Sequence, residues 1–260
     1  MKFTPQDHLM MQRAIQLAKR GIYTTAPNPN VGCVLVKNGQ IVGEGAHLKA
    51  GEPHAEVHAL RQAGESAKGA TAYVTLEPCS HYGRTPPCAE GLIKAGIAKV
   101  ICAMVDPNPQ VAGRGLAMLN EAGIETDSGL LEADSRALNP YFLTRMETKK
   151  PFVQLKMAAS IDGKTALKNG ESQWITSKEA RQDVQRYRAL SGAILSTAKT
   201  VIEDNASLNV RWDDLPSSIQ KNYPERELRQ PLRIILDRQH QLTSDQIGRA
   251  SCRERVFRAV

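Results

Sequence analysis

With 260 residues the chain exceeds one typical domain and predicts two. No run approaches the roughly 18 apolar residues of a membrane span, no signal-like apolar core follows Met1-Lys2-Phe3, and five widely spaced cysteines do not make a disulfide framework, which predicts a cytoplasmic protein with no membrane partner. The net charge of +7 is spread thinly: residues 1–150 carry 16 Lys and Arg against 14 Asp and Glu, residues 151–260 carry 18 against 13, and Arg249, Arg253, Arg255 and Arg258 dominate the tail, so the balance fits a phosphorylated small molecule at least as well as a nucleic acid, and no nucleic-acid partner is expected.

Thr4 as N-cap and Pro5 at the first helical position predict an amphipathic helix that Gly21 stops. The stiff loop Ala26-Pro27-Asn28-Pro29-Asn30 follows, in which Asn28 offers an amide to a base edge or serves as a turn residue. Val31–Val36 and Ile41–Gly45 predict two strands around an Asn38-Gly39 hairpin turn. Next are expected a helix from His54, a strand from Ala70 to Leu76, a helix from Cys88 and a strand from Lys99 to Val105, then a helix from Gly115 to Ala122 and one from Leu131 to Met146. Alternating strands and helices imply an α/β sheet with helices on both faces.

The pattern restarts near Lys149-Lys150-Pro151, which divides the chain into domains at 1–148 and 149–246. Phe152–Ala159 predicts a strand, Thr176-Ser177-Lys178-Glu179 opens a helix to Leu190, and a strand at Ala193–Ser196, a short helix at Thr197–Asp204 and a strand at Leu232–Asp237 follow. No glycine-rich Rossmann fingerprint is present.

Within the first domain His54-Ala55-Glu56, Pro78-Cys79 and Cys88 form an ordered set: one imidazole and two thiols with a neighbouring carboxylate. Zn²⁺ takes nitrogen and sulfur ligands tetrahedrally, and a catalytic site keeps a fourth position for water. Glu56 is then the candidate to move protons between that water and a departing nitrogen, as in zinc nucleobase deaminases. The Cys79–Cys88 interval exceeds the short Cys-x-x-Cys form and carries Arg84, either a phosphate ligand or a solvated loop charge. His58, one turn after His54, reads as an ordinary helix-face histidine.

The run Glu77-Pro78-Cys79-Ser80-His81-Tyr82-Gly83-Arg84-Thr85-Pro86-Pro87-Cys88, with Pro27-Asn28-Pro29 and His54-Ala55-Glu56 upstream, resembles the bifunctional deaminase/reductase family of riboflavin biosynthesis. Lys156–Gly163 and Gly170–Thr176 resemble that family's reductase. The resemblance implies a cytidine-deaminase-like three-layer α/β/α domain followed by an incomplete dihydrofolate-reductase-like α/β domain. It also implies hydrolytic deamination of 2,5-diamino-6-(ribosylamino)-4(3H)-pyrimidinone 5′-phosphate with Zn²⁺, then reduction of the ribosyl to a ribityl chain by NADPH. By that pattern His54, Cys79 and Cys88 hold zinc and Glu56 transfers protons. Ala158, Trp174, Thr200 and Asp204 match cofactor positions, and Ser172, Arg188, Leu208 and Arg211 match substrate positions.

Two departures stand out. Asn205-Ala206 replaces the family's Asp-Pro after Asp204, which predicts a looser loop. The closing strands of the reductase are missing, and residues 247–256 resemble a translated sequencing adapter, so the tail at 247–260 is expected to be non-native and the reductase impaired. A clipped sheet also makes homo-oligomer formation plausible. The competing readings are a cytidine or tRNA adenosine deaminase and a zinc scaffold without catalysis; Glu56 speaks against the scaffold.

Overall fold

A computed structural model of the chain describes residues 2–83, 86–243 and, for the backbone alone, 256–259. It divides into two units, Met1–Val153 and Gln154–Val260. The first opens with α1 (Pro5–Ala18), started by a reciprocal cap in which the Asp7 amide donates to Thr4 Oγ1 (3.2 Å) and the Thr4 amide donates to the Asp7 carboxylate (2.7 Å). Asp7 also accepts from the Tyr73 hydroxyl at 2.6 Å. Partial burial opposes its charge, but the bonds from Tyr73 and Thr4 outweigh it and hold Asp7 below its ordinary 3.8. Asp7→Ala is therefore expected to cost about 1–2 kcal/mol near neutral pH. Because the folded value is depressed, that contribution is full above pH 3.8 and is lost as pH falls through the lower folded value. Denaturant melts of both proteins at pH 7 and below pH 3 check this; a gap of unchanged size in acid would refute it.

The sheet is built from β1 (Gly32–Lys37), β2 (Gln40–Ala46), β3 (Thr71–Val74), β4 (Lys99–Cys102) and β5 (Glu125–Ser128) in the order β2-β1-β3-β4-β5. β1 is antiparallel to both β2 and β3, whereas β3, β4 and β5 run parallel. The hairpin turn is the expected one, with Asn38 at φ 52° and Gly39 at φ 77°. Side chains alternate across the sheet. Cys33, Leu35, Ala72, Val74 and Val100 meet α2 (Ala55–Ala63), α3 (Cys88–Lys94) and α4 (Arg114–Glu121) on one face. Val34, Val36, Tyr73 and Ile101 meet α1 and Leu138, the last residue of α5 (Glu132–Leu138), on the other. This is the three-layer arrangement the alternating pattern predicts.

α2 lies unusually close to β2. A Cβ at Gly43 would overlap the carbonyl of Ala59, and one at Gly45 would overlap the carbonyl of Ala55. Alanine on the helix and glycine on the strand allow the approach.

Three expectations for this unit need correction. β5 falls on polar Glu125-Thr126-Asp127-Ser128, an edge strand whose sequence lacks the apolar signature. The single helix expected from Leu131 to Met146 is two, α5 and α6 (Pro140–Thr148), because Pro140 has no amide proton and disfavours helical backbone at Asn139. Asn139 is put to another use: its Oδ1 accepts from the Asn30 amide (2.7 Å) and its Nδ2 donates to the Asn30 carbonyl (2.9 Å). The strands expected at Ala70–Leu76 and Lys99–Val105 are shorter than predicted.

The second unit contains α7 (Lys178–Leu190), capped by Ser177, then β6 (Ala193–Thr197), α8 (Ala198–Asp204), α9 (Ser217–Gln220), β7 (Leu232–Leu236) and β8 (Val256–Ala259). Its sheet is parallel, in the order β6-β7-β8. Ala198, Val201, Leu208, Ile235 and Leu242 form a small core. Phe152–Ala159 is not the expected strand: Val153 and Leu155 are each 81% exposed, and no described strand pairs with the segment. An alternating pattern makes a strand only when a neighbour supplies hydrogen bonds. Asn205, which stands where the family has Asp, ends α8 at φ 47°, a left-handed conformation that asparagine tolerates. Of the tail at residues 247–260, only the backbone of β8 lies within the described residues.

Candidate metal centre

His54 is the N-cap of α2, Glu56 lies in its first turn, Cys88 is the first residue of α3, and Cys79 follows β3 on the turn after Pro78. Two helix starts therefore converge on one point, and their partial positive ends favour negative sulfur there. His54 Nδ1 lies 3.2 Å from Cys88 Sγ and 3.6 Å from Cys79 Sγ, and the three ligand atoms fall within 4.8 Å of one another. Tetrahedral zinc, with Zn–S near 2.3 Å and Zn–N near 2.0–2.1 Å, needs nitrogen–sulfur separations of about 3.5 Å. The donor set fits that ion.

Electrostatics around the triad agree with a thiolate site. Hydrogen bonds from the Cys88 thiol, from His54 and from the Cys88 amide (3.3 Å) pull the Cys79 thiol below its ordinary value although burial opposes them. Cys88 is pushed up by its bond to Cys79, by burial and by Glu56. His54 is raised, chiefly through its hydrogen bond with Cys79. Glu56 is 3% exposed, and burial, reinforced by the Cys79 charge, lifts its carboxyl to about 7.

Sequence reasoning left out three buried polar residues here. His47 packs edge-on against His54 with ring centroids 5.3 Å apart. Its Nδ1 faces the Pro53 carbonyl at 3.1 Å and so carries the proton, leaving Nε2 to accept from Asn28 Nδ2 at 3.2 Å. Burial holds His47 below its ordinary value. Asn28 is thus both a turn residue, its amide donating to Thr25 at 2.8 Å, and a side chain whose Oδ1 is left as acceptor. Glu77 and Asp106 are likewise buried, at 3% and 6% exposure, and burial raises Asp106 to about 6. The signal for Glu77 was its place immediately before Pro78-Cys79; His47 carried none.

His58 stays outside the triad, as its helix-face reading required, and its Nε2 is buried without a hydrogen-bond partner. Arg84 lies outside the described residues. An open cleft of about 540 Å³ is lined by Ser80, His81, Tyr82, Gln110, Arg114 and Met118, none of them a member of the triad.

In the second unit Thr200 and Asp204 are four residues apart on one face of α8. Trp174 is 69% exposed with the Arg181 guanidinium 4.2 Å over its ring, and Ala158 sits on the unpaired segment. Among the described residues no hydrogen bond or ring contact ties Ala158 or Trp174 to α8. Ser172 is half-buried in the segment before α7, and Leu208 is buried at φ 53°. Arg188 donates to the Asn209 carbonyl (2.9 Å) and is held below its ordinary value by burial and by the charge of Arg211, which pairs with Asp214.

Comparison with known proteins follows the same division. The family model described as the cytidine and deoxycytidylate deaminase zinc-binding region matches residues 4–104, and the RibD C-terminal domain matches residues 151–254. Riboflavin biosynthesis protein RibD of Haemophilus influenzae is 63% identical over 242 residues, and that of Escherichia coli is 60% identical over 238. These alignments cover 93% and 92% of this chain but 65% of each relative's length. Among solved structures, Acinetobacter baumannii RibD (form 1) superposes with a TM-score of 0.90 at 54% identity, covering 98% of this chain and 70% of that one. The Thermotoga maritima diaminohydroxyphosphoribosylaminopyrimidine deaminase/5-amino-6-(5-phosphoribosylamino)uracil reductase gives 0.84 at 40% identity, covering 97% and 70%. A zinc-ligand triad on a three-layer sheet, a second α/β unit matching the RibD C-terminal domain, and identity sustained across nearly the whole chain have one common explanation: the chain belongs to the RibD family.

Proposed function

We propose that the first unit catalyses hydrolytic deamination of 2,5-diamino-6-(ribosylamino)-4(3H)-pyrimidinone 5′-phosphate in riboflavin biosynthesis, and that the second unit is part of the NADPH-dependent reductase that acts next. The observation that carries this is the meeting of His54, Cys79 and Cys88 beside the buried Glu56. Bound zinc supplies a Lewis acid that makes a water nucleophilic near neutral pH. His54, Cys79 and Cys88 hold the ion, and burial keeps the Glu56 carboxyl near 7, where it both accepts and releases a proton. Glu56 takes a proton from the attacking water and delivers it to the departing 2-amino nitrogen; a C–O bond replaces a C–N bond and ammonia leaves. Asn28, its amide nitrogen engaged by His47, presents Oδ1 to the N–H edge of the pyrimidine. The cleft has the volume of a small-molecule site and receives the ribosyl phosphate, with Arg84 as a further phosphate ligand.

For the second unit, Ser172, Arg188, Leu208 and Arg211 are assigned to substrate, and Ala158, Trp174, Thr200 and Asp204 to NADPH. The proximity of the Arg188 and Arg211 guanidinium groups supports an anionic ligand between them. The domain boundary is placed near residue 149 and the tail at 247–260 is assigned as non-native.

Purified protein assayed for zinc, ammonia release and NADPH oxidation in one cuvette tests the reading. Stoichiometric zinc and ammonia release without NADPH oxidation are expected. Preferential turnover of free cytidine or tRNA adenosine would transfer the chain to those deaminases, and zinc without deamination would leave only a structural metal. NADPH oxidation as well would overturn the expected impairment of the reductase.

A further inference from the structure

Among the described residues the Glu77 carboxylate accepts four hydrogen bonds, all of them from backbone amides of one later stretch of chain. Its Oε2 accepts from Asp106 (3.1 Å) and Gly113 (2.9 Å), and its Oε1 accepts from Gly115 (2.8 Å) and Leu116 (3.3 Å). Its own amide donates to the Met104 carbonyl at 3.0 Å. α4 has Gly113 as its N-cap and no side-chain cap from its own sequence, so a residue some forty positions upstream satisfies first-turn donors that would otherwise be unpaired. The join is tight, since a Cβ at Gly115 would overlap the carbonyl of Pro78, the residue between Glu77 and Cys79.

We propose that Glu77 is a positioning residue for the metal ligands: its carboxylate clamps the Pro78-Cys79 turn to the start of α4 and to the Asp106–Gly113 loop, and so holds Cys79 at the distance from His54 and Cys88 that zinc requires. The inference rests on the metal-binding part of the proposed function. Each oxygen faces two N–H groups, so both must be acceptors. A glutamine of the same size turns an NH₂ group toward two N–H donors, leaving those donors unpaired in a buried site. Aspartate keeps four acceptor directions and loses one methylene of reach. A clamp therefore tolerates Glu77→Asp better than Glu77→Gln, whereas a residue that merely fills space gives the opposite order.

The experiment loads wild type, Glu77→Asp and Glu77→Gln with cobalt(II). It reads the visible bands of tetrahedral, thiolate-bound metal and titrates the ion away with a chelator. Glu77→Gln is expected to bind cobalt about 10–100-fold more weakly with altered bands, and Glu77→Asp to lie between it and wild type. Wild-type affinity and bands in Glu77→Gln, or a greater loss in Glu77→Asp, would overturn the inference. A wild-type chain that binds no cobalt would instead overturn the proposed function beneath it. Where neither variant folds, amide exchange in the native protein decides: slow exchange at Gly113 and Gly115, positions that lack an intrahelical acceptor, supports the clamp, and unprotected exchange there refutes it.

Discussion

Replacing Glu56 by glutamine should lower the rate of ammonia release by about 10²–10⁴-fold while zinc content stays at the wild-type level. The side chain lies within the helix α2 start, is 3% exposed, and stands beside the triad without being a member of it. An amide keeps the volume and loses the group that takes up and returns the proton. Burial and the Cys79 charge raise the carboxyl to about 7, so the native group exchanges a proton with small loss in either direction near neutral pH. The paired measurement is metal content and turnover on the same preparation. Loss of metal in Glu56→Gln would make Glu56 a ligand and refute the proton-transfer role; retained turnover would do the same.

Gly45→Ala should act on the same chemistry from the opposite side of the helix. The added methyl overlaps the Ala55 carbonyl and crowds the Ala59 amide, both backbone, so α2 itself must move, by on the order of 1 Å. Overpacking of this kind costs about 1–3 kcal/mol. Because His54 and Glu56 flank Ala55, the shift also carries them off their positions, and a misplacement of about 1 Å costs about 10²-fold in rate. Denaturant unfolding together with ammonia release checks both effects. A variant as active as wild type would show that the site does not depend on the depth at which the helix is seated.

The triad was legible because its members stand at element starts that local chemistry marks: Pro53 before His54, Pro78 before Cys79, Pro86-Pro87 before Cys88. The hairpin was legible from Asn38-Gly39 for a similar reason. Glu77 and His47 were not, since their partners are backbone groups and an amide in other segments, which no local window contains. Polar β5 is a strand by virtue of its neighbour β4. Phe152–Ala159 shows the converse, an apolar alternation with no partner. The break at Asn139-Pro140 was present in the sequence; helical periodicity across it overrode the proline.

The reciprocal amide pair between Asn30 and Asn139 sets where this polypeptide can be cut. The deaminase zinc-binding match ends at residue 104, yet a fragment ending there would leave the Asn30 amide and carbonyl without their buried partners and would discard every amide that Glu77 binds. The ligands would all be present and the frame that aligns them would not. For excision, grafting or fusion, the indivisible module is the first unit through Val153, half again as long as the stretch that bears its signature.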